Sequence, residues 1–390
     1  MIGRMSCVIV LLYCTVAMAE APLPTFRTQS IDDHVQIGYG VVLGDVDGDG
    51  KTDILLADKT QFVWYRNPDW QRFVMVENLT PQDNVCIAAR DIDGDGKVEV
   101  AVGANWNPND TVDSGSVHYL VAPEDRTQKW TPIELHHEPT VHRMHWVHLG
   151  NGHYVLVVAP LHGRGNRNGE GDGVKLLAYE MPKDPRQEWK TTVIEDTMHM
   201  THNLDPGQWV PGYRAEALLY IGREGAMLLS YDDGKWTSRK LARIEGGGEI
   251  RMVGSRDDHY APLIATIEPM HGDKLVVYEW KSGTSIIDIT DRLVLDDNLN
   301  GGHAVAGGDF NGDGLPEVVA GWRMPNRDGK VGIKLYSPYG EESKSMWVDE
   351  NGMATEDLRV GDLDGDGKMD IVAAGRATNN LKIYWNTTKK

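Results

Sequence analysis

The sequence contains only three cysteines, and two of them, Cys7 and Cys14, lie in an apolar stretch at the N-terminus. That stretch, "SCVIVLLYCTVAMA", follows a short basic segment and ends in an A-x-A arrangement, which predicts a cleaved secretory signal peptide over residues 1–19. Cleavage leaves Cys86 alone, so the mature chain cannot form an internal disulfide. We therefore expect a protein of the periplasm or the extracellular medium that is stabilised by buried surface and bound ions.

Positive charge is also scarce. The formal net charge is -19 at pH 7, which argues against nucleic acid or an anionic membrane surface as the partner. The apolar stretch of the signal is too short to cross a bilayer, and no later segment is long and apolar enough to span a membrane. A serine nucleophile motif, a phosphate-binding loop and a dinucleotide fingerprint are absent as well.

An internal repeat is present instead, and it decides the fold class. Four copies are clear: "GDVDGDGKTDILLA", "RDIDGDGKVEVAVG", "GDFNGDGLPEVVAG" and "GDLDGDGKMDIVAAG". Three weaker copies lie between the second and the third: "VHLGNGHYVLVVAP", "GQWVPGYRAEALLYIG" and "GSRDDHYAPLIATIEP". Each is followed by segments with the alternating pattern of β-strands, such as "KLVVYEW" and "WKTTVIED", which makes four strands per unit.

The seventh unit lacks its fourth strand, whereas the mature N-terminus "PTFRTQSID" resembles a fourth strand without a unit before it. The two ends therefore complete one unit together. The prediction is an all-β fold, a single seven-bladed β-propeller of four-stranded blades, closed by the N-terminal strand and covering residues 20–390 as one domain.

The four clear copies share a loop with oxygen-bearing side chains at positions one, three, five and nine and a glycine at position six. This spacing matches the first part of a calcium-binding loop, so we expect structural Ca²⁺; acidic turns without an ion are the alternative. The expected ligands are Asp45, Asp47, Asp49 and Asp53; Asp91, Asp93, Asp95 and Glu99; Asp309, Asn311, Asp313 and Glu317; and Asp362, Asp364, Asp366 and Asp370. On these motifs the units resemble FG-GAP repeats, a fold-level likeness that does not specify function.

Histidines are concentrated in "HRMHWVHLGNGHY", residues 142 to 154, which holds four of the fourteen in the chain. Counting back six residues from the first position of each loop compares the starts of the innermost strands. With His148, Gln208 and Ser255 taken as the first positions of the degenerate loops, the residues so aligned are Tyr39, Val85, His142, His202, Glu249, His303 and Glu356. Equal register in a propeller means equal height around the central channel, about 20 Å from the calcium loops.

Three histidines and two glutamates at one height suit a zinc ion or a similar divalent transition metal, with His142, His202, His303 and Glu249 as the ligands. The alternative is that each histidine is a core residue bonded to a neighbouring blade. A slip of one residue in the degenerate units would turn a side chain to the other face. Tyr39 is assigned to the substrate and Glu356 to catalysis.

The loops that follow the second strands should surround the same mouth of the channel. They read "PLHGRGN", "GREG", "EPMHG", "GWRMPN" and "GRATNN". Together they offer acid–base groups, cations and a tryptophan on which a sugar ring could stack. The residues are His162, Arg164, Arg223, Glu268, His271, Trp322, Arg323 and Arg376.

The pieces "HMTHN", "IEPMHG" and "AGWR" resemble the propeller domain of aldos-2-ulose dehydratase and its bacterial relatives. That resemblance implies a metal-dependent elimination of water from a ketosugar, or its isomerisation. It also implies metal ligation by His142, His202 and His303, with the loop residues around the substrate. The cupin domains of the fungal enzyme have no counterpart in this sequence.

Three functional hypotheses follow. The first is a secreted, metal-dependent carbohydrate dehydratase or isomerase in which His162 or His271 takes the proton and Glu268 donates to the departing oxygen. The second is a polysaccharide lyase acting on uronates, in which Arg323 and Arg376 neutralise the carboxylate. The third is a calcium-braced propeller that binds a glycan or a protein without catalysis.

Overall fold

The computed structural model describes residues 22–209, 214–254, 262–281, 288–289, 292–339 and 343–389. The predicted signal, residues 1–19, and Ser255, the origin used for counting in the fifth unit, lie outside the described residues. Within these ranges the chain forms 29 β-strands. None of the described residues forms a helix of the length and apolarity that a membrane crossing requires.

The strands form seven antiparallel sheets, each built from one repeat unit. From the innermost strand outward, the first blade is β2 (Gly40–Gly44), β3 (Asp53–Ala57), β4 (Gln61–Arg66) and β5 (Gln71–Glu77). The second is β6 (Cys86–Arg90), β7 (Glu99–Ala104), β8 (Ser116–Val121) and β9 (Thr131–Leu135). The third is β10 (Val141–His148), β11 (Tyr154–Pro160), β12 (Leu176–Glu180) and β13 (Lys190–Glu195). The fourth is β14 (Thr201–Gly207), β15 (Ala217–Gly222), β16 (Gly225–Asp232) and β17 (Lys235–Leu241).

The fifth blade differs at its outer edge, where two short strands both pair with the third strand. It comprises β18 (Glu249–Val253), β19 (Leu263–Glu268), β20 (Lys274–Lys281), β21 (Asp288–Ile289) and β22 (Leu293–Asp296). The sixth blade is β23 (Gly302–Gly308), β24 (Glu317–Trp322), β25 (Gly332–Ser337) and β26 (Lys344–Glu350). The seventh is β27 (Thr355–Gly361), β28 (Asp370–Gly375), β29 (Asn380–Asn386) and β1 (Phe26–Asp32).

The ring closes as predicted. Strand β1 pairs with β29, with Phe26 opposite Asn386, so the N-terminal strand completes the last blade. Each innermost strand packs against the innermost strand of the next blade, and β27 packs against β2. The predicted fold, a seven-bladed propeller of four-stranded antiparallel sheets, is confirmed.

The apolar core is divided among the interfaces between blades. Seven buried clusters are present, and each joins side chains of two neighbouring blades. The second strand of a blade is buried on both faces. All six residues are buried in each of β7, β15, β19, β24 and β28. This burial explains why the short apolar run after each loop persists in the degenerate units, where the acidic residues are lost.

Candidate metal centre

The candidate site is built on a repeated β-bulge at the start of the innermost strands. In four blades the pairing register slips by one residue directly after the first strand position. An extra residue of this kind is left out of the ladder and bends its strand. The four extra residues are His142, His202, His303 and Glu356.

The strand pairing that begins at Glu249 in the fifth blade shows no such bulge. Glu249 pairs regularly with Ile267. Nδ1 of His202 donates to the carbonyl oxygen of Gly248 at 2.9 Å and lies 3.1 Å from one carboxylate oxygen of Glu249. The other oxygen of Glu249 accepts a hydrogen bond from the amide of Asn203. Glu249 therefore contacts the Nδ1 edge of His202, and its assignment as a metal ligand stays a prediction.

Three imidazoles converge at the mouth of the channel. The ring centroids of His202, His271 and His303 lie 4.5, 5.0 and 5.1 Å apart. One nitrogen from each lies within 4.8 Å of the others, and the Nε2 atoms of His202 and His271 are 2.7 Å apart. The sequence supplied His202 and His303 as ligands, whereas it placed His271 among the acid–base residues.

Backbone carbonyls fix the tautomers of the two buried members. Nδ1 of His202 donates to Gly248, and Nδ1 of His303 donates to the carbonyl oxygen of Glu356 at 2.5 Å. Their Nε2 atoms are therefore unprotonated, the tautomer that metal-bound histidines use, and Nε2 of His202 contacts Nε2 of His271. Burial, together with the positive charge of Arg323, lowers the pKa of both rings well below the ordinary value, so they are neutral.

His271 lies on the loop after β19 and is the exposed member of the group. Its backbone has a φ of 51°, a left-handed conformation that is uncommon outside glycine. Although the residue as a whole is exposed, its ring lies against those of His202 and His303, and this burial of the ring, followed by the charges of His202 and Arg323, lowers the pKa of its imidazole. These three histidines present three neutral nitrogen donors, which fits a divalent transition metal with an open coordination position.

His142 lies beside this group and outside it. Its ring meets that of His202 edge-on at 4.5 Å and stacks on Trp106 at 4.9 Å. Both ring nitrogens are buried and have no hydrogen-bond partner among the described residues, an arrangement that is costly unless a further ligand supplies one. Trp106 was missed because the sequence analysis considered only the loops after the second strands of the third to the seventh blades, whereas Trp106 follows β7 in the second blade.

Charged residues from the first, sixth and seventh blades complete the mouth. Arg376 donates to both carboxylate oxygens of Glu356, at 2.8 and 3.0 Å, and Arg323 lies 3.5 Å from the same carboxylate. The Arg376 guanidinium lies 5.1 Å from the ring centroid of Tyr39, whose hydroxyl donates to Asp83. Burial and the nearby Asp83 carboxylate raise the pKa of Tyr39, so its hydroxyl keeps its proton.

Two of the predicted loop residues have structural partners that exclude their predicted roles. Trp322 has an exposed fraction of 0 % and its indole donates to the carbonyl oxygen of Lys330, so no sugar can stack on it. Both oxygens of Glu268 are also engaged, since they accept hydrogen bonds from Thr266 and Tyr278 on one side and from Arg292 on the other. Glu268 is therefore a structural anchor and not a free proton donor.

The remaining loop residues lie apart from the three imidazoles. Arg164 bonds Glu138 and the carbonyl oxygen of Val112, and Arg223 bonds the carbonyl oxygen of Asn168. His162 is buried with an unpartnered Nδ1. Within the described part of the chain no hydrogen bond or ring contact joins these three residues to the histidine group.

The acidic loops occupy the opposite end of the ring, because they follow the far ends of the innermost strands. In the first loop Asp45 accepts the backbone N–H groups of Gly48 and Gly50, and buried Asp53 accepts those of Val46 and Asn67. In three loops, three carboxylates converge to within 4.8 Å: Asp45, Asp47 and Asp53; Asp91, Asp93 and Glu99; Asp362, Asp364 and Asp366. In the loop of the sixth blade, the amide of Asn311 donates to Asp313 and Glu317.

Burial makes the ionised form of the carboxylate at the ninth position of these loops unfavourable unless a cation lies beside it. It raises the pKa of Asp53 and of Glu99 to about 7, that of Glu317 to about 8 and that of Asp370 to about 6. Oxygen donors of this kind suit Ca²⁺.

Comparison with known proteins agrees with this architecture. Residues 114–281 match the family model of the aldos-2-ulose dehydratase β-propeller domain, and residues 45–102 and 301–331 match FG-GAP repeat models. The aldos-2-ulose dehydratase of Phanerodontia chrysosporium is 29% identical over 230 residues, which cover 53% of this chain and 25% of that protein. The chain thus matches about a quarter of the length of this relative.

Solved structures show the fold alone. A chain of the mitotic checkpoint complex is 11% identical, covers 99% of this chain and 100% of its own length, and superimposes with a TM-score of 0.57. The β-propeller domain of Cps50 (Swd1) from Myceliophteria thermophila is 11% identical with a TM-score of 0.56, over 93% of this chain and all of the domain. The chain is a seven-bladed propeller of FG-GAP-type repeats that resembles the propeller domain of aldos-2-ulose dehydratase.

Proposed function

We propose that this protein is a secreted, metal-dependent carbohydrate lyase that dehydrates or isomerises a ketosugar or a related oxidised sugar. The observation that carries the proposal is the convergence of three neutral imidazoles, two of them with tautomers fixed by backbone carbonyls. The match to a protein named aldos-2-ulose dehydratase supplies the substrate class. The predicted signal peptide, residues 1–19, supports export.

His202, His271 and His303 would hold Zn²⁺ or a similar ion, with the unpartnered His142 beside them. Such an ion supplies Lewis acidity that polarises a sugar carbonyl and acidifies the neighbouring C–H bond. The acidic loops would hold Ca²⁺, which would stiffen these turns.

The charged residues of the mouth serve orientation and electrostatics in this proposal. Glu356 has both oxygens engaged, so it orients Arg376 and Arg323, and its carbonyl orients His303. Arg323 retains a positive charge beside the imidazoles, where it would stabilise negative charge that develops on the sugar oxygen as the proton leaves. In the elimination, a base takes the proton from the carbon beside the carbonyl and a C=C bond forms. The hydroxyl on the next carbon takes up a proton and leaves as water, so the net change is the loss of one H2O.

The test is turnover of a panel of ketosugars by the purified protein, with and without a chelator, and with Zn²⁺ or Ca²⁺ added back. We expect turnover that the chelator abolishes and that Zn²⁺ restores. His202→Ala should lose both the metal and the activity. The matched control is His34→Ala, because the His34 side chain is 94% exposed. Absence of chelator-sensitive turnover across the panel would refute the proposal.

The two other hypotheses become outcomes of the same experiment. Uronate cleavage needs arginines that are free to bind a carboxylate, whereas Arg323 and Arg376 already contact Glu356. Ultraviolet absorbance from unsaturated products on uronate polymers, without turnover of ketosugars, would favour the polysaccharide lyase. A purified protein that contains calcium but no transition metal, and that turns over neither class, would be a binding propeller.

A further inference from the structure

A cleft lies at the acidic end of the ring, on the seam between the first and seventh blades. Its volume is about 530 Å³, within the range of about 300–1,000 Å³ that is typical of ligand pockets. Strands β1 and β29 contribute Arg27, Gln29 and Trp385 to its lining, and the turn between β4 and β5 contributes Trp70. The acidic loop of the seventh blade contributes Asp364. The cleft is therefore at the opposite end of the ring from the histidine group, and none of the residues assigned above to catalysis line it.

Tryptophans at the equivalent position of two other blades are buried. Trp130 directly precedes β9, and Trp189 directly precedes β13. Their exposed fractions are 4% and 6%. The indole N–H of Trp130 donates to the carbonyl oxygen of Arg126 at 3.1 Å, and that of Trp189 donates to the carbonyl oxygen of Pro185 at 3.0 Å. In both blades the turn thus satisfies the one polar hydrogen of its tryptophan.

The turn before β5 is shorter, and its tryptophan is not covered in this way. It comprises residues 67–70, whereas the turns before β9 and β13 comprise residues 122–130 and 181–189. Trp70 remains partly exposed, and its indole N–H forms no hydrogen bond with the described residues. Its ring packs against Trp385, with 6.1 Å between the centroids. A partly exposed indole with an unused donor provides both an apolar surface and a polar contact for a ligand.

The closing strand adds two further donors to the same cleft. The guanidinium of Arg27 lies 5.6 Å from the ring centroid of Trp385, and Arg27 forms no ion pair within the described part of the chain. The side-chain oxygen of Gln29 accepts the indole N–H of Trp385 at 2.8 Å. Because an indole nitrogen is only a donor, this bond fixes the orientation of the Gln29 amide and leaves its NH2 group available.

Acceptors and paired charges limit the kind of ligand that fits. Asp364 is exposed at the edge of the cleft and supplies carboxylate oxygens. The other lysine or arginine of the lining, Lys51, is already paired with Asp49 at 2.7 Å. An anion would use the donors but would face Asp364 in a chain of net charge -19. Hydroxyl groups both donate and accept hydrogen bonds, so a neutral polyhydroxylated ring suits the whole lining.

We propose that this cleft is a binding site for a neutral saccharide. A sugar ring contacts Trp70, and its hydroxyl groups bond Gln29, Arg27 and Asp364. Because β1 and the turn before β5 belong to different blades, the site is complete only when the ring is closed. The site is separate from the histidine group, and its occupancy does not depend on the proposed lyase activity.

Isothermal titration calorimetry of the purified protein in buffer that contains Ca²⁺ tests the proposal, with maltohexaose, cellohexaose, xylohexaose and mannohexaose as probes. We expect at least one of the four to bind, and Trp70→Ala to weaken its binding by at least about 10-fold, since a ring contact and a hydrogen bond are lost together. The control is Trp236→Ala, because Trp236 is also partly exposed on an outermost strand but lies outside the cleft. Its affinity should equal that of the wild-type protein. Absence of binding by all four probes, or equal affinities of the wild-type protein and Trp70→Ala, would overturn the proposal.

Two further variants separate this site from the histidine group and cover the case in which Trp70→Ala does not fold. Arg27→Ala removes an exposed side chain, and we expect the affinity to decrease by about 3-fold or more. His202→Ala should bind the oligosaccharide as tightly as the wild-type protein does. In wild-type crystals soaked with the tightest-binding probe, a sugar ring should lie against Trp70. Sugar density only at the histidine mouth, or an affinity that is lost in His202→Ala and kept in Arg27→Ala, would contradict the inference.

Discussion

The two ends of this propeller use the same repeat in opposite ways. At the acidic end, each loop is a local unit in which carboxylates accept N–H groups a few residues away, as Asp45 does from Gly48 and Gly50. At the other end, one site is assembled from single residues of different blades, such as His202 and His303. The side-chain groups of the first kind come from one loop, whereas those of the second come from several blades. Stability and chemistry should therefore respond separately to mutations at the two ends.

The largest expected effect is on turnover. His202→Ala should reduce metal-dependent activity more than about 100-fold, since even outer-shell changes around a metal cost 10–100-fold. The Tm should change much less than it does on loss of calcium. Metal analysis and initial rates of the same preparations measure the effect. A variant that keeps its metal and its activity would contradict the assignment of the chemistry to the histidine end.

His271→Ala tests whether His271 is a metal ligand or a proton-transfer group. Because Nε2 of His271 lies 2.7 Å from Nε2 of His202, we expect the variant to lose the metal together with the activity. Retention of the metal with loss of turnover would instead support the proton-transfer role that the sequence suggested. His34→Ala serves as the control.

Removal of calcium is the next largest effect, and it acts on stability. An ion at 100 times its dissociation constant contributes about 2.7 kcal/mol per site, so a chelator should lower the Tm, and Ca²⁺ but not Zn²⁺ should restore it.

In the chelator, stability should decrease as the pH rises from about 4 to about 7. Burial raises the pKa of Asp53 from 3.8 to about 7, so the folded state holds a proton that the unfolded state releases in this range. Calorimetry with and without Ca²⁺ measures both effects. A Tm that is the same with and without the chelator would contradict the calcium assignment.

Buried histidines should give the smaller and opposite pH dependence. Burial lowers the pKa of His118 below 6.5, so its stabilising neutral form is fully present above pH 6.5 and is lost as the pH falls below that value. The expected loss is at most about 1.4 kcal/mol per pH unit below 6.5. Denaturant unfolding of the wild-type protein and of His118→Phe between pH 5 and 7 measures this loss. If the free energy of unfolding changes equally with pH in both proteins, His118 does not cause the pH dependence.

The sequence predicted whatever follows the period of the repeat. The seven units and their acidic loops recur along the sequence, and the closing strand follows from the two incomplete ends, so all of them could be assigned from the sequence. His202 and His303 were found in the same way, because both are the extra residue of an equivalent bulge. Glu249 differs from them because its strand pairs without that bulge, although its carboxylate still contacts His202, and such differences in pairing are not visible in a degenerate unit.

The loops of the mouth have no period, so composition alone could not distinguish partners from core. Trp322 was expected at the surface, yet it is the last residue of β24 and packs against Trp347 inside a blade interface. Trp106 was overlooked, although it lies in the equivalent region of the second blade. Loop geometry depends on contacts between blades, and these are set by the closed ring.

The most direct test of the account is anomalous diffraction from crystals of the purified protein, collected above and below the absorption edges of the candidate transition metals. We expect one transition-metal peak between the imidazoles of His202, His271 and His303, and calcium-type peaks only in the acidic loops at the other end. Imidazoles that bond one another with no metal density between them would contradict it.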